Sequence, residues 1–124
     1  MKRILVIEND PFILMLLNDM LTRIGYCVTQ TESGISGLEK IEREEFDAII
    51  LDIHLRDIDG RLVYEKVKTR SSSLASRVLF MTGDVGNPDT VSFIRKTGNL
   101  WLEKPFTVPQ LKDILKRLFL EKES

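Results

Sequence analysis

The sequence predicts an α/β domain, a (βα)5 doubly wound parallel sheet with helices on both faces. Two observations carry this. Five short apolar runs alternate with five amphipathic segments, the pattern of a parallel sheet built from crossover helices. The third run, Ala48-Ile49-Ile50-Leu51, is apolar without alternation, as in a strand buried on both faces.

The elements follow in order. Ile4 to Ile7 is the first strand. Asp10-Pro11 then reads as an N-cap followed by a first-turn proline. The helix after it places Ile13, Leu16, Leu17, Met20, Leu21 and Ile24 on its buried side and stops at Gly25. Phe12, Leu14 and Met15 also lie on this helix and cannot all face the sheet. Tyr26 to Thr31 is the second strand. Ile35, Leu38 and Ile41 mark a short helix with a charged outer side, Glu39-Lys40 and Glu42 to Glu45. Phe46 to Leu51 is the third strand. A helix from Gly60 to about Lys68 is buried through Leu62, Val63 and Val67, and Ser71-Ser72-Ser73 is a loop. Val78 to Met81 is the fourth strand, Pro88 to Lys96 the fourth helix with Gly98 as its stop, and Leu100 to Leu102 the fifth strand. The last helix is capped near Thr107 and buries Leu111, Ile114, Leu115 and Leu118. With right-handed crossovers, the expected strand order is 2-1-3-4-5, the flavodoxin-like arrangement.

A chain of 124 residues fits one domain spanning 1–124, with a core from about 3 to 120. Its 18 basic and 19 acidic side chains leave a net charge of −1, which gives no reason to expect a nucleic-acid or membrane partner. No apolar run approaches the roughly 20 residues of a membrane helix. The apolar stretch Ile4–Ile7 is interrupted by Glu8 and is too short for a signal peptide. A cytoplasmic location is the expectation. The single Cys27 excludes an internal disulfide and a cysteine metal cluster, and is expected to pack as a small hydrophobe.

In the predicted strand order, strands 1 and 3 lie side by side at the switch point, where open α/β sheets place reactive groups beyond the carboxyl ends of their strands. Those ends carry Glu8-Asn9 and Asp52. Strand 4 brings Thr82 alongside, and strand 5 brings Lys104. Carboxylates crowded in a small cleft repel one another and favour a bound cation. An all-oxygen donor set with few protein ligands suits Mg²⁺. A lysine and a hydroxyl beside such an ion are the groups a phosphoryl oxygen needs, and the adjacent carboxylate can attack phosphorus to form an acyl phosphate. The arrangement points to reversible phosphorylation of Asp52.

The motifs ILVIEND after the start, AIILD at Asp52, Asp59-Gly60, MTG around Thr82 and LEKPF around Lys104 occur in this order along almost the whole chain. Together they resemble the receiver domain of two-component response regulators, chemotaxis-regulator-like. The resemblance implies that Asp52 is the phosphoacceptor and that a phosphohistidine on a histidine kinase or histidine phosphotransfer domain is the donor. It implies a signalling domain that catalyses only its own phosphorylation and dephosphorylation. Thr82 and Lys104 would contact the phosphoryl group. Glu8 and Asn9 stand at the acidic-pair positions of the Mg²⁺ site, with the His54 backbone carbonyl as a further ligand and Asp10 as a substitute or, more simply, a helix cap. Lys104-Pro105 matches a cis peptide bond, which proline permits. Thr82 and Trp101 match the switch pair, and the ring would move inward as Thr82 is drawn to the phosphoryl group. Phe12 and Met15 would form a docking patch for the phosphohistidine partner. A homodimer would form through the fourth helix, fifth strand and fifth helix.

Two positions depart from the family pattern. Asn9 replaces a carboxylate, so Mg²⁺ binding should be weaker. Arg56 stands where proline is common, which should alter the loop without removing the chemistry. Asn9 also supports an alternative, a pseudo-receiver that binds protein partners without phosphorylation. An aspartyl phosphatase is disfavoured because such enzymes need an acid two residues after the nucleophile, where this chain has His54. A nucleotide- or flavin-binding domain is disfavoured because the loop Glu8-Asn9-Asp10-Pro11 lacks glycine and is acidic. The sequence reads equally as a single-domain regulator or as a receiver within a longer protein, and the stretch from Thr82 to Phe106 also resembles receivers attached to hybrid histidine kinases.

Overall fold

The computed structural model describes residues 1–122. Its elements are β1 (Arg3–Ile7), α1 (Pro11–Ile24), β2 (Cys27–Thr31), α2 (Gly34–Arg43), β3 (Ala48–Asp52), α3 (Gly60–Arg70), α4 (Ser72–Ala75), β4 (Val78–Thr82), α5 (Pro88–Thr97), β5 (Trp101–Glu103) and α6 (Val108–Lys122). The five strands form one sheet in the order β2-β1-β3-β4-β5, and every pairing is parallel. The predicted fold class and strand order are therefore both present.

Alternation along the strands divides the core in two. Ile4, Val6, Ile50 and Met81 face α1 and α6, where Leu17, Leu21, Leu111 and Leu115 cover them. Leu5, Ile7, Ile49, Leu51 and Phe80 face the opposite side, beneath Ile41 of α2, Val63, Tyr64 and Val67 of α3, and Ile94 of α5. Because β3 and β4 are buried at every position, neither strand alternates in polarity, as expected between two helical layers.

Helix ends follow their capping residues. Asp10, Ser33, Asp59, Ser71 and Asn87 each accept a backbone N–H of the helix they begin. At α6 the cap is reciprocal: Gln110 N–H donates to Thr107 Oγ1 while Thr107 N–H donates to Gln110 Oε1. Gly25 closes α1 with φ 116°, a backbone conformation that favours glycine.

Several local expectations are corrected. Leu14 is buried, so the exposed apolar residues of α1 are Phe12 and Met15. On α3 Leu62 points outward at 46% exposure and Tyr64 is buried in its place, its ring tilted against Phe80 and edge-on to Phe93. The serine run opens the extra helix α4, with Ser71 as its N-cap. The third strand begins at Ala48, and the fifth is shifted by one residue. Cys27 is exposed, because β2 is an edge strand and pairs with β1 alone. Among the described residues, no helix is long and apolar enough to cross a membrane.

Candidate functional site

The carboxyl ends of β1, β3 and β4 and the residue after β5 meet at one edge of the sheet. Asp52 is the last residue of β3, and Glu8 follows β1 in the neighbouring position, Ile7 being paired with Leu51. Both carboxylates are buried, at 3% and 0% exposure, so their charge must be met by protein groups or a cation. Lys104 enters from the end of β5. Its Nζ donates to Glu8 Oε1 at 2.5 Å and lies 3.4 Å from Asp52 Oδ2. Asp52 Oδ1 accepts from the His54 backbone N–H at 3.1 Å, which fixes the rotation of the carboxylate. Burial pushes the Glu8 carboxyl up to about 7, and the adjacent Asp52 carboxyl adds to this while Lys104 opposes it.

Asn9 closes the cleft. One end of its amide lies 3.1 Å from Asp52 Oδ2, Glu8 Oε2 and the His54 carbonyl, and the other end lies 3.2 Å from Arg56 Nε. Three oxygens thus converge on one point. No third His, Cys, Asp or Glu side chain joins Glu8 and Asp52 to form a metal-holding group among the described residues. Two carboxylates, a carbonyl and the Asn9 amide oxygen nevertheless form a hard, all-oxygen set that fits Mg²⁺ retaining part of its water shell. Asp10 lies outside this cluster: its Oδ1 accepts from Phe12 N–H at 2.9 Å, capping α1.

Thr82 ends β4 and is buried. Its Oγ1 accepts from Asp84 N–H at 2.9 Å, which leaves the hydroxyl proton available to donate. Its carbonyl accepts from Lys104 N–H at 2.9 Å, tying the two strand ends together. The Lys104-Pro105 peptide bond is cis. Trp101 is 41% exposed and borders a cavity of about 160 Å³ shared with Thr82, Val85, Val91, Ile94 and Arg95. Phe12 and Met15, at 63% and 62% exposure, stand on the first turns of α1 next to the Glu8–Asp10 loop.

Two supports of the site are not apparent from the sequence. Gly60 opens α3 directly against β3: a Cβ there would stand 2.5 Å from the Asp52 carbonyl oxygen and 2.7 Å from Ile53 Cα. The Asp59-Gly60 motif signals that position, though not its reason. Asp57, in the loop that also carries His54 and Arg56, caps a different helix. Its carboxylate accepts from Ser33 Oγ at 2.8 Å, Gly34 N–H at 3.0 Å and Ile35 N–H at 2.9 Å. Partial burial acts to raise the Asp57 carboxyl. The bonds from Ile35, Ser33, Gly34 and Ile58 outweigh it and hold the group well below the usual carboxylate range. Nothing in the local sequence pairs Asp57 with Ser33, 24 residues earlier. At the mouth of the cleft His54 Nε2 lies 3.3 Å from Asp84 Oδ2.

Comparisons with known proteins agree with this geometry. The family profile of the response regulator receiver domain matches residues 4–116. The transcriptional activator protein IrlR of Burkholderia pseudomallei is 36% identical over 121 residues, covering 93% of this chain and 51% of the relative. The chain therefore spans about half the length of that relative. The sporulation initiation phosphotransferase F of Bacillus subtilis is 26% identical over 117 residues, covering 94% of this chain and 92% of the relative. A CheY-like receiver domain protein from Methanospirillum hungatei superimposes with a TM-score of 0.91 at 28% identity, over 99% of this chain and 97% of the other. The receiver domain of a Pseudomonas aeruginosa sensor histidine kinase, with magnesium in its active-site cleft, superimposes with a TM-score of 0.84 at 28% identity, over 94% and 96%. The chain belongs to the response regulator receiver domain family.

Proposed function

We propose that Asp52 is the phosphoacceptor of a two-component phosphorelay and that its phosphorylation resets a protein-interaction surface. The observation that carries this is the position of Asp52 Oδ2, 3.4 Å from Lys104 Nζ, while Oδ1 is held by the His54 N–H. One oxygen is anchored and the other is directed at a cation. In the transfer step an Asp52 oxygen attacks the phosphorus of a phosphohistidine, the P–N bond breaks with its electron pair leaving on the imidazole, and an acyl phosphate forms. Lys104 holds one phosphoryl oxygen, and the Thr82 hydroxyl donates to another. Glu8, Asp52, the His54 carbonyl and the Asn9 amide oxygen would hold Mg²⁺, which supplies positive charge against the phosphoryl oxygens.

The donor would be a histidine kinase or a histidine phosphotransfer domain, docking on Phe12 and Met15 beside the cleft. Such partners act in the cytoplasm, which is the location this reading implies. The response would pass from Thr82 to Trp101 and so alter the surface of α5, β5 and α6, the face through which a homodimer would also form. The domain would catalyse only its own phosphorylation and dephosphorylation.

Incubation with acetyl phosphate and MgCl₂, followed by intact-mass measurement, tests this. The native chain gains one phosphoryl group and Asp52→Asn gains none. The neutral Asn9 amide beside Glu8 and Asp52, where a carboxylate would hold a cation more firmly, favours a second reading, a phosphorylation-independent binding module. An unmodified native chain that also fails to bind beryllofluoride would select it.

A further inference from the structure

We propose that Asp57 is a positioning residue of the cation site: it fastens the β3–α3 loop to α2 and so holds the His54 carbonyl in place opposite Glu8. This rests on the Mg²⁺ reading above and names what sets that site's geometry. The loop leaves β3 at Ile53 and joins α3 at Gly60, and both ends are pinned. Ile53 N–H donates to the Met81 carbonyl at 3.3 Å, and Gly60 N–H donates to the Ile53 carbonyl at 2.9 Å. Between these ends Asp57 reaches across to the first turn of α2. Its carboxylate accepts there from Ser33 Oγ at 2.8 Å, Gly34 N–H at 3.0 Å and Ile35 N–H at 2.9 Å. The loop and the helix meet closely, since a Cβ on Gly34 would stand 2.7 Å from Ile58 Cγ1. Ser33 already caps α2 by accepting from Ser36 N–H at 3.1 Å. The bonds to Asp57 therefore act on the loop as much as on the helix. The same turn is tied to the other side of the cleft. Ser33 N–H donates to Thr31 Oγ1 at 3.3 Å, and the Thr31 carbonyl accepts from Glu8 N–H at 3.1 Å. Glu8, Thr31, Ser33 and Asp57 thus form a hydrogen-bonded series from the end of β1 to the loop that carries His54. The ends of this series are two of the chain segments whose oxygens would hold the cation. Mg²⁺ demands ligands at about 2.0–2.1 Å and tolerates little variation in their spacing, so a slack series lowers affinity. Asp57 acts through the path of the loop and not by ligation.

Calorimetric titration with MgCl₂, together with amide hydrogen exchange in the metal-free chain, tests this. Asp57→Ala should bind Mg²⁺ on the order of ten-fold more weakly than the native chain, the low end of the loss that follows when a group orienting metal ligands is removed. Asp57→Asn, which keeps the shape and one acceptor oxygen, should fall between the two. Without metal, the His54 amide, which donates to Asp52, should exchange faster in Asp57→Ala. Phosphorylation of Asp57→Ala by acetyl phosphate should need more MgCl₂ to reach half its maximal rate, with that maximum within about two-fold of native. Ser71→Ala is the control, because it removes the N-cap of α4, a loss of similar size to that of Asp57. It should lower stability and leave Mg²⁺ affinity at the native value. Native affinity in Asp57→Ala, or equal weakening in Ser71→Ala, overturns the positioning role and leaves the metal reading intact. A lowered maximal rate that excess MgCl₂ does not restore also overturns it and places the effect on Asp52 itself. Absence of Mg²⁺ binding in both the native chain and Asn9→Asp overturns the metal reading and the positioning role with it.

Discussion

Lys104 and Glu8 form a 2.5 Å ion pair that joins the end of β5 to the end of β1 beside the Asp52 carboxylate. The lysine is thereby held beside Asp52 by a partner other than Asp52 itself. Its Nζ stands 3.4 Å from Asp52 Oδ2, and the electrostatic cost of the two buried carboxylates is offset by one shared cation.

Lys104→Met keeps the aliphatic stem and removes the charge. It should slow phosphorylation by acetyl phosphate on the order of a hundred-fold, the loss seen when one preorganised donor to a developing oxyanion is deleted. Time-resolved intact mass measures this. A rate within about two-fold of native would show that the ammonium does not serve the phosphoryl oxygens.

Thr82 and Trp101 line the same cavity, and the ring is 41% exposed beside it. Beryllofluoride with MgCl₂ should shift Trp101 emission to shorter wavelength as the ring enters that space. Thr82→Ala should still bind beryllofluoride but lose most of the spectral shift. An undiminished shift in Thr82→Ala would disconnect the hydroxyl from the ring.

Gly60→Ala places a methyl group 2.5 Å from the Asp52 carbonyl oxygen. Backbone must move to admit it, and overpacking of this kind costs about 1–3 kcal/mol. Urea unfolding should show that loss. Since the displaced carbonyl belongs to Asp52, phosphorylation should slow as well. Native stability in Gly60→Ala would mean that α3 can shift away from β3 freely.

Asp57 ties the β3–α3 loop to the start of α2, with its carboxyl held below the ordinary range by those bonds. A carboxyl depressed in the folded chain stabilises it above the unfolded pKa, about 3.9, and that stability is lost as pH falls through the folded value. Asp57→Ala should therefore cost about 1 kcal/mol at neutral pH, the usual loss of a helix cap. The gap in thermal midpoint between variant and native should narrow as pH falls below about 4. A gap unchanged down to pH 3 would exclude ionised Asp57 as the source.

The strand order and the convergence of Asp52, Lys104 and Glu8 were legible because parallel sheets impose them. Continuous apolar runs name the central strands, and the carboxyl ends of those strands are where polar residues gather. Asp10 was legible as a cap from Pro11 beside it. Leu62 was assigned to the buried side on its apolarity, whereas Gly60, Val63, Tyr64 and Val67 share one face at helical spacing, and Tyr64 packs there with Phe80 and Phe93. Cys27 was misplaced because its burial was read from residue type, although the predicted order already sets strand 2 at the sheet edge. Asp57 was hidden for a different reason: it bonds a partner far along the chain, Ser33, through a loop whose path no periodicity describes.

The central claim is that Asp52 carries the phosphoryl group, and locating the modification tests it most directly. Native chain treated with acetyl phosphate and MgCl₂, then reduced with borohydride, should yield homoserine at position 52 on peptide sequencing, and at no other aspartate. Homoserine at Asp57, Asp59 or Asp84 in place of Asp52, or none anywhere after treatment, would contradict the account.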